Sequence, residues 1–548
     1  MLTVHHRLLL GLLALGLTGC QTAQSQSTRP TPLPQEDRIQ VYTNHEPAST
    51  YTEPYRNQAR SGDDLEQTMV DAIATAQSTV DVAVQELRLP KIANALVERQ
   101  KAGVRVRVIL ENTYSRPFST YSTAETAALP ERERGRYDEA RRLIDRDENG
   151  QLSQEEINQG DALVMLDQAR VPRLDDTADG SAGSNLMHHK FVVVDNKHLI
   201  VTSSNFTTSD VHGDFKAVSS LGNANNLLKI DSPELAALFT QEFNVMWGDG
   251  PGKKPDSRFG TKKPFRPAQQ VRVGSTLVEL QFSPAAKAVP WSRSSNGLIG
   301  RTLSTATTSI ELALFVFSEQ PLVNLLEPLP GKGVKIRGLI DPGFAYRSYS
   351  EALDMLGVSL KERCQPESNN RPWSSPITTI GVPRLPPGDL LHHKFGVVDG
   401  KIVITGSHNW TAAANTGNDE TVLVVHSPIV AAHYQREFDR LYDSAILGIP
   451  PALQKKIDAQ PSECSLPRSD RSVLPEAAIP AASSAQSQVN LNTATLEELT
   501  ALPGVGPGLA QRIMAARQRQ RFTSLADLDQ VPGVGAKLLA RLSSRVTW

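Results

Sequence analysis

The chain is 548 residues long, and its 57 basic side chains nearly balance its 59 acidic ones, for a formal net charge of −2. This balance excludes a protein that attracts polyanions through its overall charge. The length is sufficient for two or three domains with cores of their own. Of the three cysteines, Cys20 follows an apolar run near the N-terminus. The other two, Cys364 and Cys464, could form a disulfide in an oxidising compartment.

The N-terminus has the layout of an export signal. Arg7 precedes an apolar run, residues 8–17, that is too short to span a bilayer, and Cys20 follows shortly after it. The segment resembles a bacterial lipoprotein signal peptide, which implies removal of residues 1–19 and lipid attachment to Cys20. A plain secretory signal peptide is the alternative. Because Gln21 replaces the Asp of an inner-membrane retention signal, we expect a lipid-anchored envelope protein, in the outer membrane or the periplasm.

Two similar runs of alternating helices and strands follow. Residues 20–55 are rich in Gln, Ser, Thr and Pro and predict a flexible tether. The order helix, strand, helix, strand then occurs in residues 56–248 and again in residues 273–446, which indicates a duplicated α/β domain. Between the copies, residues 249–272 predict a linker that is either solvated or forms a basic rim. Its basic residues are Lys253, Lys254, Arg258, Lys262, Lys263 and Arg266.

The first copy carries an insertion, residues 137–166, that the second copy lacks. Twelve residues within it match the pattern of an EF-hand calcium loop, and helix-forming residues flank them on both sides. An acidic turn that matches by chance is the alternative. We expect a structural calcium ion that takes no part in the chemistry. The ligand positions are Asp145, Asp147, Asn149, Gln151 through its carbonyl, Ser153 and Glu156.

One stretch occurs twice with the same spacing, from His188 to Asn205 and from His392 to Asn409. In each copy, His-x-Lys is followed after four residues by Asp, and after six more by a small residue, Ser, any residue and Asn. Two apolar runs around a polar pair predict a β-hairpin, on which residues two apart share a face. Each copy therefore presents an imidazole beside an ammonium, and two such copies together suit a phosphodiester.

These stretches resemble the two HKD motifs of the phospholipase D superfamily. The resemblance covers roughly residues 60–445 and implies an α/β fold of two α-β-α lobes, related by a pseudo-twofold axis, with both motifs in one active site. It implies that one histidine attacks phosphorus to give a phosphohistidine, while the other protonates the leaving oxygen and then activates water, without a catalytic metal. The implied catalytic residues are His188, Lys190, Asn205, His392, Lys394, Asn409 and Glu420, supported by Asp195, Ser203, Asp399 and Ser407.

Neighbouring residues have simpler interpretations. His189 and His393 point to the opposite strand face, which predicts packing roles. Asp195 and Asp399 lie where a strand enters its turn, so we expect a structural Asx turn rather than catalysis. The first half has Asn225 where the second has its acidic residue, and this asymmetry leaves open which histidine is the nucleophile.

The C-terminal part contains a second internal repeat. Residues 447–488 predict a linker, and residues 489–548 contain two Pro-Gly-Val-Gly stretches that each lead into a helix. The pattern resembles the helix-hairpin-helix motif of competence-type DNA receptors, which implies a small all-α domain that holds DNA phosphates without reading sequence. A hairpin used only for packing is the alternative. The implied DNA-binding residues are Gly504, Gly506, Arg512, Gly533, Gly535 and Lys537.

Three functions remain open at this stage. The motif chemistry fits a nuclease or a phospholipase D that releases phospholipid head groups, because both substrates are phosphodiesters. The C-terminal domain favours DNA, whereas the lipid anchor keeps the site beside a membrane. The third possibility is a DNA receptor without activity, which the intact His, Lys and Asn of both copies make the weakest.

Overall fold

The computed structural model describes most of the chain as two α/β lobes followed by a small, mainly helical region. Residues 1–28, including the predicted signal peptide and Cys20, lie outside the described part, as do Cys364 and the side chain of Cys464. The described residues are 29–361, 367, 369–465, 489–494, 498, 499, 502, 505, 507–531, 534, 538, 539, 542 and 545–548.

The first lobe is built on a mixed seven-stranded sheet, in the order β1-β10-β9-β8-β4-β5-β6. The lobe has ten strands among the described residues, of which β2, β3 and β7 lie outside this sheet. They are β1 (Ile39–Thr43), β2 (Thr50–Thr52), β3 (Ala59–Ser61), β4 (Thr79–Val84), β5 (Arg105–Leu110), β6 (Arg173–Asp175), β7 (Leu186–Met187), β8 (Lys190–Val194), β9 (His198–Thr202) and β10 (Asn226–Asp231). Its helices are α1 (Leu65–Ala74), α2 (Pro90–Lys101), α3 (Thr123–Ala128), α4 (Glu131–Ile144), α5 (Gln154–Gly160), α6 (Ala162–Gln168), α7 (Thr208–Val211) and α8 (Pro233–Trp247).

The second lobe is built on a mixed nine-stranded sheet, in the order β11-β12-β21-β18-β17-β13-β15-β16-β22. The lobe has twelve strands among the described residues, of which β14, β19 and β20 lie outside this sheet. They are β11 (Gln269–Val273), β12 (Thr276–Phe282), β13 (Ser309–Leu314), β14 (Phe317–Ser318), β15 (Lys335–Ile340), β16 (Ile380–Val382), β17 (Lys394–Val398), β18 (Ile402–Gly406), β19 (Trp410–Thr411), β20 (Asn418–Asp419), β21 (Thr421–His426) and β22 (Ile446–Leu447). Its helices are α9 (Ser295–Leu303), α10 (Gln320–Leu326), α11 (Glu351–Met355), α12 (Ala412–Thr416) and α13 (Pro428–Tyr442), followed by α14 (Pro451–Ser465).

The two lobes repeat each other and share one apolar core. Helices α8 and α13 both begin with Ser-Pro, where the serine side chain caps the helix and proline occupies its first turn. Each helix packs against the hairpin of its own lobe, and aromatic side chains of both lobes join in one buried cluster. Phe191 and Phe239 of the first lobe and Phe395 and Phe438 of the second lie in it. The shared core fixes the two hairpins relative to each other, so the duplicated α/β fold is as predicted.

The C-terminal region has a core of its own. Helices α15 (Pro507–Arg519) and α16 (Leu525–Asp529) and the short parallel pair β23 (Val489–Asn490) and β24 (Val546–Thr547) surround a separate cluster of buried apolar residues. Within the described residues, none of the helices of the chain combines the length and the apolar character that a membrane span requires.

The predicted tether, residues 20–55, is wrong in its second half. Residues 39–43 form β1, which pairs antiparallel with β10 at the edge of the first sheet. Ile39, Val41 and Thr43 are buried, and Gln40 and Tyr42 between them are half-buried, which is the period of two expected for an edge strand. The polar composition of the surrounding segment hides this short pattern.

Both predicted linkers also contain ordered structure. In the predicted linker 249–272, Lys263 is fully buried and forms ion pairs with Glu242 and Asp419, and Arg266 pairs with Glu242 at 2.7 Å. These two cations therefore join the lobes and form neither a solvated linker nor a basic rim. In the predicted linker 447–488, residues 451–465 form α14, which buries Leu453 against the second lobe.

Candidate active site

The two HKD stretches meet at the boundary between the lobes. Strand β7, just before His188, pairs in parallel with β20 of the second lobe. Leu391, just before His392, forms the equivalent bridge with Ala224 of the first lobe. Each motif histidine thus follows directly after a backbone contact with the opposite lobe, and this crossed arrangement places both imidazoles in one site, as the resemblance implies.

His188 is held by the second lobe. Its Nδ1 lies 2.7 Å from Oε2 of Glu420, and the Glu420 side chain is completely buried. The hydroxyl of Ser407 donates to the same carboxylate oxygen at 2.8 Å, and Asn418 donates to the other at 3.2 Å. With Nδ1 committed to the carboxylate, Nε2 of His188 is the nitrogen left for chemistry.

His392 is held by the first lobe in a related way. Its Nδ1 lies 3.0 Å from Oδ1 of Asn225, and Ser203 donates to that same oxygen at 2.7 Å. The pair Ser203 and Asn225 thus repeats the roles of the serine and the glutamate around His188. The structure places an acid here as well, because Oδ1 of Asp210 lies 3.2 Å from Nδ1 of His392.

Asp210 is the residue that sequence reasoning missed. Its carboxylate accepts hydrogen bonds from the side chains of Asn205, Asn223 and Asn225, in addition to its contact with His392. It therefore organises the motif asparagine of its own lobe and the histidine of the other. The internal repeat gives no signal for it, because the position in register in the second copy is Ala414.

Two buried lysines bring positive charge into the site. Lys190 and Lys394 are each 1% exposed, and their ammonium groups donate to the carbonyls of His188 and His392 at 3.0 and 2.5 Å. Burial lowers the pKa of Lys190 to about 8, and burial together with Lys190 lowers the pKa of Lys394 well below its ordinary value. Phe315 packs against both Lys394 and His392.

Both motif histidines are neutral in the free protein at neutral pH. Burial is the largest cause that lowers the pKa of His188 and of His392, and the ammonium groups of Lys190 and Lys394, one from each lobe, add to it. Burial also raises the pKa of Glu420. An anionic phosphodiester bound beside the two ammonium groups would raise the pKa of both imidazoles.

The motif asparagines occupy equivalent positions of the two motifs and share one feature, an unpaired amide oxygen. Asn205 donates through Nδ2 to Asp210 at 3.0 Å, and Asn409 lies at the equivalent position of the second motif. Among the described residues, neither Oδ1 has a hydrogen-bond partner, although both atoms are buried. Unpaired buried polar atoms are costly, so both amide oxygens are available to a ligand.

The other motif residues have structural contacts. His189 forms hydrogen bonds with Thr421 and Glu242, and His393 with Asn226 and Glu437, so both are buried packing residues. The carboxylate of Asp195 accepts from the backbone amides of residues 77–79, and that of Asp399 from the amides of residues 307–309. Both aspartates thus anchor a distant segment, which differs from the local Asx turn expected from the sequence.

The two other predicted sites lie apart from the motif residues in sequence and on different elements. The predicted calcium ligands Asp145 to Ser153 lie between α4 and α5, and Glu156 lies in the first turn of α5. Arg512 is exposed on α15, whereas Gly504, Gly506, Gly533, Gly535 and Lys537 lie outside the described residues. Arg517 on the same helix donates to the carbonyls of Leu491 and Ala494, which gives it a packing role.

Fold and site define a phosphodiester-processing enzyme with one half-site from each lobe. Residues 69–247 and 299–442, more than half of the chain, match the family described as cardiolipin synthase, PLD-like domain, and the chain belongs to this family. Residues 484–547 match the helix-hairpin-helix motif.

Individual relatives resemble different parts of the chain. Mitochondrial cardiolipin hydrolase of Xenopus laevis is 28% identical over 201 residues, which cover 36% of this chain and 86% of the relative. ComE operon protein 1 of Bacillus subtilis is 45% identical over 60 residues, which cover 11% of this chain and 29% of the relative. The solved phosphatidylserine synthase of Haemophilus influenzae is 11% identical, with a TM-score of 0.45 over 77% of this chain and 89% of that chain.

Proposed function

We propose that the protein is a DNA endonuclease without sequence specificity that cleaves phosphodiesters through a phosphohistidine. The observation that carries the chemistry is the pair of buried histidines, each held at Nδ1 by the opposite lobe and each with the ammonium group of a buried lysine at its carbonyl. A neutral imidazole can attack phosphorus, and fixed positive charge stabilises the charge that develops on the phosphoryl oxygens.

His188 is the nucleophile in this proposal. Attack by Nε2 on phosphorus leaves a positive charge on the imidazole, and the buried Glu420 carboxylate at 2.7 Å from Nδ1 balances it. The P–O bond to the leaving group breaks, and His392 transfers its Nε2 proton to the departing oxygen. The bound phosphate anion keeps His392 protonated before this step, with help from Asp210.

The second half of the reaction reverses these roles. His392, now neutral, removes a proton from water, the resulting oxygen attacks phosphorus, and the P–N bond to His188 breaks. Lys190 and Lys394, with Asn205 and Asn409 beside them, hold the phosphoryl oxygens in both steps. Because the lysines supply the fixed positive charge, we propose that the reaction requires no metal ion at the phosphate.

DNA is the favoured substrate because of the C-terminal domain. Its helix-hairpin-helix match and its similarity to ComE operon protein 1 support binding to the phosphate backbone, and Arg512 is exposed on α15 for that purpose. Phosphate contacts carry no base information, so the domain would raise the local concentration of DNA without selecting a sequence.

Hydrolysis of phospholipid is the second candidate. The observation that favours it is the similarity of the catalytic lobes to proteins named mitochondrial cardiolipin hydrolase.

We also propose that the chain is exported and anchored through lipid on Cys20, on the basis of residues 1–20, and this would place the site beside a membrane. Incorporation of labelled palmitate that persists in a Cys20→Ala chain would contradict the anchor.

One experiment separates the two substrates. The full chain and its His392→Ala variant are incubated, in chelator, with plasmid DNA and separately with cardiolipin vesicles. We expect the parent to cleave DNA and the variant to lose this activity by at least a factor of about 10³, as expected for loss of an acid–base group. Release of phosphatidic acid from the vesicles without DNA cleavage would favour the phospholipase, and cleavage of neither would contradict both.

A further inference from the structure

The turn between α4 and α5 is shaped around three carboxylates. Asp145 follows the last residue of α4, and the backbone amide of Gly150 donates to its Oδ2 at 3.0 Å. Gly150 has a φ of +77°, a conformation that glycine adopts without strain. These features fold the chain back on itself between Asp145 and the first turn of α5.

The carboxylate oxygens meet inside this turn. One oxygen each of Asp145, Asp147 and Glu156 can be chosen so that all lie within 4.8 Å of one another. The backbone amide and the hydroxyl of Ser153 donate to Oε2 of Glu156 at 2.9 and 2.7 Å and hold its carboxylate in place. Three negative charges at this distance repel one another unless a cation lies between them.

One of these oxygens lacks any partner. Asp145 is only 9% exposed, and no donor among the described residues reaches its Oδ1. A buried carboxylate oxygen without a hydrogen bond is costly, and it is rare in folded proteins. Oδ1 belongs to one of the three carboxylates that meet in this turn, so a cation bound among them would satisfy it and offset the repulsion.

We propose that this turn binds one calcium ion. The ligands are the side chains of Asp145, Asp147, Asn149, Ser153 and Glu156 and the carbonyl of Gln151. All are oxygen atoms, and six or more oxygen ligands from a flexible turn suit calcium better than magnesium, which requires a near-ideal octahedron and keeps its waters. A single turn of this kind, outside the cytoplasm, is expected to bind with a Kd of about 0.1–1 mM.

Helix α4 links the calcium turn to residues 215–225, which we call the active-site wall because Asn223 contacts Asp210 and Asn225 contacts His392. Its Glu139 accepts hydrogen bonds from the backbone amides of Phe215 and Lys216 at 2.6 and 3.3 Å, and Asp138 forms an ion pair with Lys216 at 2.6 Å. One turn earlier, Arg136 reaches the buried Glu86 at 3.4 Å. A cation that fixes the C-terminal end of α4 would therefore also fix the segment around residue 215.

That segment leads to the residues that hold His392. Asn223, a few residues further on, donates to Oδ1 of Asp210, and this same oxygen lies 3.2 Å from Nδ1 of His392. The bound calcium thus stabilises the wall that positions His392, through α4, while it lies outside the phosphoryl-transfer chemistry itself.

Calorimetry on the full chain, without substrate, tests the site directly. We expect saturable uptake of one calcium ion, weakened at least about tenfold by Asp145→Asn or Glu156→Gln. The control is Glu148→Gln, which removes the same charge from the same turn at a residue outside the proposed ligands, and it should retain most of the affinity. No saturable uptake, or equal uptake by the parent and the Asp145→Asn chain, would overturn the proposal.

Thermal unfolding shows whether the variant itself is folded. In chelator, Asp145→Asn should be at least as stable as the parent, because the asparagine Oδ1 can still accept from Gly150 and one repelling charge is gone. In calcium, the parent should gain stability and Asp145→Asn should not. A parent whose unfolding temperature is the same in calcium and in chelator would contradict the site.

Hydrogen exchange tests the link to the active-site wall. Calcium should slow exchange of the Phe215 and Lys216 amides in the parent but not in Asp145→Asn. Glu139→Gln should bind calcium as tightly as the parent yet show a smaller slowing at these two amides. Slowing that is equal in the parent and in Glu139→Gln would overturn the proposed route through α4. All these readouts are independent of nuclease activity.

Discussion

Asp210 of the first lobe lies 3.2 Å from Nδ1 of His392 in the second, so an acid of one half-site supports the histidine of the other. Glu420 and His188 show the reverse relationship at 2.7 Å. The two half-sites therefore cannot work independently, because each imidazole takes its orientation and its charge balance from the opposite lobe.

Replacing Asp210 should impair the acid step. The anionic carboxylate stabilises protonated His392, so Asp210→Asn should lower the pKa of that histidine in the substrate complex. We expect kcat to fall by about 10² and the alkaline side of its pH profile to move to lower pH. The control is Asp249→Asn, at an exposed position, which should leave the profile unchanged. A profile that keeps its position in Asp210→Asn would show that Asp210 does not act on His392.

Asp399 should matter for stability and not for chemistry. It accepts hydrogen bonds from the amides of Thr307, Thr308 and Ser309, which lower the pKa of Asp399. Asp399→Ala should cost about 2–4 kcal/mol of unfolding free energy, because three donors lose a charged acceptor. This cost should be full above about pH 4 and shrink as the pH falls and the parent carboxylate takes up a proton.

Kinetics on the same variant separate the two roles of the motif aspartate. The folded fraction of Asp399→Ala should retain kcat within about a factor of two, since Asp399 contacts neither motif histidine. A loss of kcat comparable to that of His392→Ala, in protein shown to be folded by circular dichroism, would assign the aspartate to the chemistry.

Glu351 should make the fold less stable at alkaline pH. Burial and the neighbouring Asp354 raise the pKa of Glu351 from 4.5 to about 9, so the folded protein holds a proton here that the unfolded chain releases above about pH 4.5. The stability that this proton supplies is complete below pH 4.5 and is lost as pH rises towards 9.

A neutral isostere tests this directly. At pH 8, Glu351→Gln should raise the unfolding free energy by at least about 1 kcal/mol, the equivalent of roughly one pKa unit, and the gain should disappear near pH 4. The exposed Glu98→Gln is the control and should change stability little at either pH. A gain that is independent of pH would mean that Glu351 is not the titrating group.

The C-terminal domain should contribute binding and not turnover. Arg512→Gln should weaken DNA binding and reduce the slope of log affinity against log salt concentration by about one, as expected for one lost phosphate contact. Turnover of a small phosphodiester should be unchanged. The control is Arg105→Gln, at an exposed arginine of the first lobe, which should alter neither quantity. Equal DNA affinity in the parent and Arg512→Gln would remove Arg512 from the DNA surface.

Much of the site was predictable because the chain is duplicated. The repeated spacing singled out His188 and His392, and the resemblance to the HKD motifs gave them their expected roles. Comparison of the two halves also placed Asn225 opposite Glu420, and the structure shows these residues at Nδ1 of His392 and His188. Local hairpin rules placed the lysines on the histidine face. Repetition is a strong signal, since both copies had to keep the same pattern.

Residues that act through long-range contacts escaped this reasoning. Asp210 has Ala414 in register in the second copy, so no repeat marks it. Lys263 looks like one of several linker cations, and only the meeting of Glu242 and Asp419 from different lobes explains its burial. Such contacts depend on tertiary packing, which composition and spacing do not encode.

Trapping the covalent intermediate tests the central claim most directly. The His392→Ala chain, which lacks the proposed acid and base, is mixed in chelator with an activated phosphodiester whose leaving group needs no proton. It is then quenched in alkali, which preserves phosphohistidine, and its peptides are mapped by mass spectrometry. We predict stoichiometric modification of His188, and we expect this modification to be lost or strongly reduced when Glu420→Gln is added. Modification of His392 in the converse His188→Ala chain, with none on His188, would reverse the assignment, and turnover without any histidine adduct would contradict the mechanism.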